Sequence, residues 1–434
     1  MDRRAILRDL FDAAVAAANP AICVPPALPD PPAAPGRLIM LAAGKAAASM
    51  AAAALAHYRR GAPSILPRLS GIVATRRGYG MPVDPLPLVE AGHPLPDAAG
   101  LAATETALRL AASATASDLV LVLLSGGASA IWTAPAPGIG LADKQALTRA
   151  LLRSGIAIGG INTVRRHLSR IKGGRLAKTA APARVVTLSI SDVPGDDPVA
   201  IGSGPTVADP TTLADARGVL ARAAIAIPDS VAAALADPAN ETPKPGDPAF
   251  RNCEYRIVAR PRNAIDAAAR RAQALGYEPV VLGDALEGEA REIAADHARL
   301  AKELATSGRR AAIISGGELT VTVRGKGRGG RNQEYALALA LLMDGDSRLA
   351  ALAADTDGID GDGGGAVGPA GAFVDGASAA RARRAGRDPA AFLADNDSTG
   401  FFEPLGDLVA PGPTFTNVND FRAILVDTAK APAA

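Results

Sequence analysis

Between Arg324 and Arg331 the chain reads Arg-Gly-Lys-Gly-Arg-Gly-Gly-Arg, four cations interleaved with four glycines. Like charges packed this tightly repel unless an anion spaces and neutralises them, and glycine lets a backbone approach a ligand closely. An Ala/Leu-rich helical run follows from Asn332, and the first N–H groups of a helix lack intrahelical partners and favour an anion. The pattern predicts a polyphosphate site. Gly325, Gly327 and Gly330 also satisfy the GxGxxG of dinucleotide-binding folds. That reading is the weaker one: Thr320, Thr322 and Arg324 alternate with Leu319, Val321 and Val323, which marks a half-exposed strand and not a buried first strand.

Other chemistry falls where strand-like runs end, the place where ligands collect in open α/β sheets. Gly44-Lys45 follows one such run and opens a helix, so the Lys45 ammonium is a point charge for phosphate oxygens. It is not a Walker A lysine, because Ile39 and Ala46 stand where that motif needs Gly and Ser/Thr. Ser125-Gly126-Gly127-Ala128-Ser129 ends a continuous Leu/Val strand, and its N–H groups could clamp a carboxylate or phosphate. The segment Asn162 to Arg175 carries Arg165, Arg166, His167, Arg170, Lys172 and Arg175, a second basic, glycine-bearing region able to bind an anionic substrate. Arg166 is expected on a solvated face, and His167 is expected to be a hydrogen-bonded structural histidine.

Two acidic loops oppose these cations, Ser191 to Asp197 and Asp355 to Asp362. Carboxylates suit Mg²⁺, which prefers hard oxygen ligands and is shared with substrate phosphates. Asp197, Asp355 and Asp362 are expected to serve in Asx-turns or caps. Cationic loops with carboxylate loops point to phosphoryl transfer, which asks for positioning, a metal, cations and a proton-accepting carboxylate. None of His57, His93, His167 and His297 sits in a nucleophile-elbow context.

The elements that must position these groups alternate. Arg37 to Ala43, Leu119 to Leu124 and Val185 to Ile190 read as strands with helical runs between them, which argues for α/β layers on a mostly parallel sheet. After Asp237 to Pro248, read as a linker, a βαβαβ pattern runs from Tyr255 to Ile314. The expected domains are 1–245 and 246–434, with a cleft and with segments able to interleave. Leu121 to Gly127 and Ala312 to Gly317 form a near-repeat, each a buried-type strand running into Ser-Gly-Gly. The start of the chain reads as an amphipathic docking helix ending before Pro20.

At 434 residues, 48% hydrophobic and 21% charged, with a net charge of +2, the composition is globular and gives no general reason to expect nucleic acid as partner. No apolar run approaches the ~20 residues of a membrane span. Cys23 and Cys253 lie far apart, which fits a reducing cytoplasm and excludes a thiolate zinc site.

AGKAA at Ala43 to Ala47, EAGHPLPD, LLSGGASA, INTVRRHLSRIKGGRLA, SDVPGDDP, GSGPTVADPTT, SGGELTVTVRGKGRGGRNQEYALA, TDGIDGDGG and GPTFTNVNDF cover nearly the whole chain. In these motifs it resembles the type II glycerate kinases, the glycerate 2-kinases that carry a MOFRL domain. The resemblance implies ATP- and Mg²⁺-dependent phosphorylation of D-glycerate to 2-phosphoglycerate. Members often bear a hydroxypyruvate reductase name, which makes an NAD(P)H-dependent reductase the alternative. It also implies a Rossmann-like N-terminal α/β domain, a C-terminal α/β domain of MOFRL type, and an active site in the cleft between them. Carried across by motif, Lys45, Arg331 and Asp192 become catalytic candidates, and Asp192 and Asp357 metal-binding ones. Ser315, Gly316, Gly317, Lys326, Gly327, Gly329 and Gly330 fall to the ATP phosphates, and Ser125, Gly126, Gly127, Arg165 and Lys172 to the substrate. Three residues depart from the family pattern: Phe415 and Asp355 replace glycines, and Gly160 replaces a glutamate. The oligomeric state is left open, a homodimer being the state considered.

Overall fold

The computed structural model describes residues 2–361 and 368–428, so Asp362 of the second acidic loop lies outside the described residues. The chain divides into two compact units, Pro20–Val258 and Met1–Asn19 with Ala259–Ala434. No helix among the described residues is by itself long and apolar enough to cross a membrane.

The unit Pro20–Val258 is built on six strands: β1 (Leu38–Ala43), β2 (Leu69–Arg76), β3 (Leu88–Ala91), β4 (Leu119–Leu124), β5 (Arg184–Ile190) and β6 (Cys253–Ala259). Every residue of β1 and β4 is buried, as their unbroken apolar sequences require of strands covered on both faces. The order is β3-β2-β1-β4-β5-β6, and the pairings from β3 through β5 are parallel. The chain therefore moves outward in one direction from β1 and then returns to start in the other beside it. The crevice at the carboxyl ends of β1 and β4 is the switch point where such sheets bind ligands.

Two expectations change here. Tyr255 to Ala259 does not begin the second sheet but joins the first as its edge strand. Asp237 to Pro248 is not a linker: its polar residues cap local turns, Asp237 binding the Ala239 N–H at 2.9 Å and Asp247 the Ala249 N–H at 2.9 Å, and Thr242 is buried on Asp209. The break near residue 245 accordingly moves to the end of β6, because this polar stretch folds onto the first unit.

The other unit holds β7 (Glu278–Glu289), β8 (Ala311–Thr320), β9 (Leu349–Asp355), β10 (Gly371–Asp375), β11 (Leu408–Val409) and β12 (Asp420–Val426), in the order β11-β10-β9-β12-β8-β7. Only β7 and β8 pair in parallel, so this sheet is mixed and not mostly parallel. The helix Arg331–Leu342 runs through its core, with every residue from Asn332 to Ala340 buried. The amphipathic helix at the start of the chain spans Arg3–Ala17 and docks by Ile6, Leu7, Leu10 and Phe11, the last ring lying 6.1 Å from that of Phe421.

The near-repeat separates the two sheets. After β4 the Ser-Gly-Gly turns into a short helix, Ala128–Ile131, whereas Ser315-Gly316-Gly317 continues inside β8. Those three residues are therefore not at a strand end. Ser315 accepts a hydrogen bond from Arg422 Nε at 3.2 Å, and Gly317 has φ +101° with the Leu286 backbone pressed against it. A Cβ at Gly317 would lie 2.2 Å from the Leu286 N and O atoms. Gly317→Ala should cost ~3 kcal/mol or more, combining a left-handed φ with a backbone clash, and a urea titration reads this as a lower midpoint.

Candidate active site

Lys45 is placed by a junction between β1 and β4. Gly44 has φ +127°, and a Cβ there would lie 2.2 Å from Ser125 Oγ. That close approach lets the Lys45 N–H donate to the Gly126 carbonyl at 2.8 Å, while the Ala46 N–H donates to Ser125 Oγ at 2.9 Å. Thr75 of β2 adds a bond from Oγ1 to the Gly44 carbonyl at 3.0 Å. Ser125, Gly126, Gly127 and Lys45, singled out from separate stretches of sequence, are thus one cluster at the switch point. The site of a Cβ on Gly127 would be 3.5 Å from Lys45 Cγ and 3.0 Å from His93 Cδ2, so His93 borders the same crevice. His93 stands in no nucleophile-elbow context, and its position two residues past the end of β3 is the one sequence signal of its place here. Asp192 lies two residues beyond the end of β5, on the next strand in the sheet.

The Asn162 to Arg175 segment is more buried than a basic run suggests. Its Val164, Leu168 and Ile171 stripe is fully buried, as the helical spacing predicts. Arg166 is also buried, its guanidinium 2.9 Å from Asp209, so it is not on a solvated face. His167 has Nδ1 2.9 Å from the Thr163 carbonyl and Nε2 3.0 Å from Glu241, the structural role expected of it. Lys172 is buried and donates to the Ser129 and Trp132 carbonyls at 2.7 and 3.0 Å. Arg165 sits one residue before Arg166 on the helix Ile158–His167.

In the other unit the glycine-rich loop is already filled by the protein's own acids. The Arg324 and Gly325 N–H groups donate to Asn396 Oδ1 at 2.8 and 3.0 Å, and those of Lys326 and Arg328 donate to Asp395 and Asp397 at 3.0 Å. The Gly327 N–H binds the Asp395 carbonyl at 2.9 Å. Cβ atoms at Gly325, Gly327, Gly329 and Gly330 would meet Asp395, Asp397, Ser398 and Asp360 at 2.2, 2.3, 2.1 and 2.3 Å. The glycines are required by this internal packing. As an amide cradle for phosphate, the loop's Lys326 and Gly327 N–H groups are spent; the Arg324 and Lys326 heads remain exposed.

The helix start behind the loop is likewise occupied. Asp360 accepts from the Asn332 N–H at 3.0 Å and the Gln333 N–H at 2.8 Å, with both side-chain amides adding bonds at 3.2 Å. Burial pushes this carboxyl up to about 6, against the hydrogen bonds that favour its charged form. The anion that the helix terminus attracts is Asp360 itself.

Arg331 is no lone cation. Its Nε lies 2.9 Å from Asp420, Nη2 3.0 Å from Asp355 and Nη1 3.0 Å from Glu318. Burial alone would lower its pKa, but these carboxylates outweigh it and hold the guanidinium above its ordinary value. Asp420 also receives Asn332 Nδ2 at 2.8 Å and Arg422 Nη1 at 3.1 Å. The NVND stretch carries the family resemblance, yet sequence reasoning assigns no role to its Asp420, whose partners lie 88 and 89 residues away along the chain.

The acidic loops form local turns. Asp355 Oδ1 accepts the Asp357 N–H at 2.9 Å, Asp357 Oδ1 the Ile359 N–H at 2.8 Å, and Asp197 the Val199 N–H at 3.0 Å. The Asx role expected of Asp355 and Asp197 is present, and Asp355 adds the ion pair to Arg331. No group of three or more His, Cys, Asp or Glu residues gathers as a metal site among the described residues. Phe415 has φ +58°, the region that favours the glycine it replaces.

Two α/β units, one with a lysine fixed at its switch point and one with an arginine set among carboxylates, define a two-domain α/β enzyme. Residues 6–236 match the family model described as Domain of unknown function (DUF4147), and residues 311–420 match the MOFRL family. The chain is 40% identical to the D-glycerate 2-kinase of Thermotoga maritima over 88% of its own length and 89% of the relative's. It is 49% identical to an Agrobacterium vitis protein that bears a hydroxypyruvate reductase name, over 98% of this chain and 94% of that one. The crystal structure of a glycerate kinase from Thermotoga maritima superposes with a TM-score of 0.83 at 38% identity, covering 97% of this chain and 98% of that chain. The chain belongs to the glycerate kinase family that joins these two domains.

Removing Arg331 leaves three carboxylates without their common partner. Arg331→Ala should therefore lose ~3 kcal/mol of stability, whereas Lys326→Ala, with an exposed head, should stay within ~0.5 kcal/mol of the wild type; urea midpoints separate the two.

Proposed function

We propose that this protein transfers the terminal phosphoryl group of ATP to the C2 hydroxyl of D-glycerate, giving 2-phosphoglycerate and ADP. The observation that carries the reading is the Lys45 junction: a cation whose backbone is bound to the strand-end loop of β4, at the crevice where α/β sheets take their ligands. Kinship with the D-glycerate 2-kinase over most of both chains supports the same conclusion.

In this reading the substrate hydroxyl oxygen attacks the terminal phosphorus, the bond to the ADP oxygen breaks, and the hydroxyl proton passes to a carboxylate. Lys45 offers a compact positive charge to the transferring oxygens, where charge develops. Ser125, Gly126 and Gly127 line the crevice beside it, and Asp192, two residues beyond the end of β5, takes the role of proton acceptor. Mg²⁺ keeps several waters and is held through one or two carboxylates plus substrate phosphates, and Asp192 and Asp357, one in each unit, each offer the hard oxygen donor that such an ion takes. An ion arriving with ATP would neutralise charge on the phosphate oxygens. Arg331 contributes by holding Asp355 and Asp420 in place; of its five N–H donors three are taken, by Asp420, Asp355 and Glu318. The setting is a reducing cytoplasm, in keeping with two cysteines that form no disulfide.

The reductase alternative loses its motif. Amides of the GxGxxG stretch that would receive a pyrophosphate are engaged by Asp395, Asn396 and Asp397. Incubation with D-glycerate, ATP and Mg²⁺, read by ³¹P NMR, should yield 2-phosphoglycerate. Hydroxypyruvate with NADH or NADPH should give no nicotinamide oxidation, and oxidation without phosphorylated product would reverse the assignment.

A further inference from the structure

Along the Asn162 to Arg175 segment four of the six cations have an acid near them. Arg166 lies 2.9 Å from Asp209, His167 3.0 Å from Glu241, Arg170 pairs with Glu105, and Arg175 donates to the Glu241 backbone carbonyl within reach of the Glu241 and Asp209 charges. Arg165 and Lys172 do not. Both come close enough to Lys144, on the helix Leu141–Arg153, for the three to repel one another, and none of the three makes an ion pair among the described residues. Lys144 is 5% and Lys172 2% exposed, so water does not compensate the charge.

A buried cation without a counterion is costly, and two buried lysines beside the partly exposed Arg165 are worse. Burial first, and then the neighbouring cations, push Lys144 down to about 7 and Lys172 well below the ordinary lysine range. Their remaining polar contacts are carbonyls only. Lys172 Nζ holds Ser129 O and Trp132 O, and Lys144 Nζ is 3.5 Å from Leu168 O. A carboxylate entering the cluster favours the charged form of both lysines, and an ammonium has three donors, so each then keeps at least one for it beside the planar fork of Arg165.

The cluster also adjoins the candidate active site. Ser129 lies in the short helix Ala128–Ile131 and Trp132 directly follows it; that helix begins directly after the Ser125-Gly126-Gly127 turn to which the Lys45 N–H is bonded. Trp132 has in addition a buried indole N–H without a hydrogen-bond partner, and Ser129 Oγ lies 2.7 Å from Ser203 Oγ.

We propose that Lys144, Arg165 and Lys172 form the receptor for the carboxylate of the acid substrate, with Lys144 as a residue that sets the preference for a carboxylate-bearing acceptor. The assignment rests on the phosphotransferase reading above for the identity of that acid. One reactant offers a polyphosphate to Lys45; the other offers a single compact carboxylate beside the accepting hydroxyl. A small cationic site one short helix beyond Lys45 matches the second.

The test uses the full chain and the variants Lys144→Met, Lys144→Arg and Arg165→Met. Lys144→Met should raise KM for D-glycerate by ~10-fold or more, leave kcat within ~3-fold and KM for ATP within ~2-fold, and Lys144→Arg should recover most of the loss. Calorimetry with D-glycerate alone should show the same ~10-fold weakening in Lys144→Met and Arg165→Met, and binding of the uncharged glyceramide should be weak in every form. Unchanged D-glycerate binding in both methionine variants overturns the receptor, whatever the turnover. So does inorganic phosphate binding the wild type more tightly than D-glycerate, or a KM for ATP that rises with that for D-glycerate. If D-glycerate binding is lost in the variants but no protein form makes 2-phosphoglycerate, the receptor stands and the phosphotransfer reading alone fails.

Discussion

The arrangement at the switch point depends on one close approach: Gly44 against Ser125. With no side chain at Gly44, the backbone after β1 presses on the loop after β4, so that the Lys45 N–H reaches the Gly126 carbonyl and Ser125 takes the Ala46 N–H. Any Cβ at position 44 would collide with Ser125 Oγ and its carbonyl, at 2.2 and 2.5 Å. Two strands that are neighbours in the sheet but 81 residues apart at the paired Ala43 and Leu124 are thereby locked at their carboxyl ends, and the lysine inherits the rigidity of both. Pre-organised charge of this kind needs no rearrangement at the moment of reaction, which is why it suits phosphoryl transfer.

The second unit follows a different electrostatic plan. Its sequence leads one to expect cations and amides that meet a ligand; instead the loop amides and Arg331 meet the chain. Asp395, Asn396 and Asp397 take the loop amides, Asp360 takes the helix start, and Asp420, Asp355 and Glu318 surround Arg331. The physical premise, that clustered cations and bare amides demand an anion, is sound. The anion is supplied internally. In the first unit the reverse holds, for the three cations Lys144, Arg165 and Lys172 keep no acid of their own.

This contrast marks what is legible in the sequence. Strand β4 and the helix Arg3–Ala17 are readable because an unbroken Leu/Val run and a helical stripe of Ile6, Leu7, Leu10 and Phe11 have few other folded solutions. The convergence of Lys45 with Ser125–Gly127 is readable in part, since both sit where buried strands end. Sheet membership is not: the strand ending at Ala259 belongs by sequence order with the helix and strands after it, but it pairs into the sheet of β1 to β5, and pairing is a long-range choice. Nor can the partners of Arg331 be read, because Asp355 and Asp420 lie 24 and 89 residues away and no local pattern announces them. Ser315-Gly316-Gly317 misleads for a related reason. Ser-Gly-Gly ends a strand when a helix must start, as at Ala128, and continues one when a neighbouring backbone, here Leu286, needs the space.

Lys45 acts at the transferring phosphoryl group from a scaffold fixed by backbone bonds between Gly44–Ala46 and Ser125–Gly126. Turnover of D-glycerate by Lys45→Met, measured with the melting temperature of the same preparation, tests this most directly. The account predicts that kcat falls by ~100-fold or more while the melting temperature stays within about 2 °C of the wild type. Near-normal turnover in a folded Lys45→Met protein would contradict it.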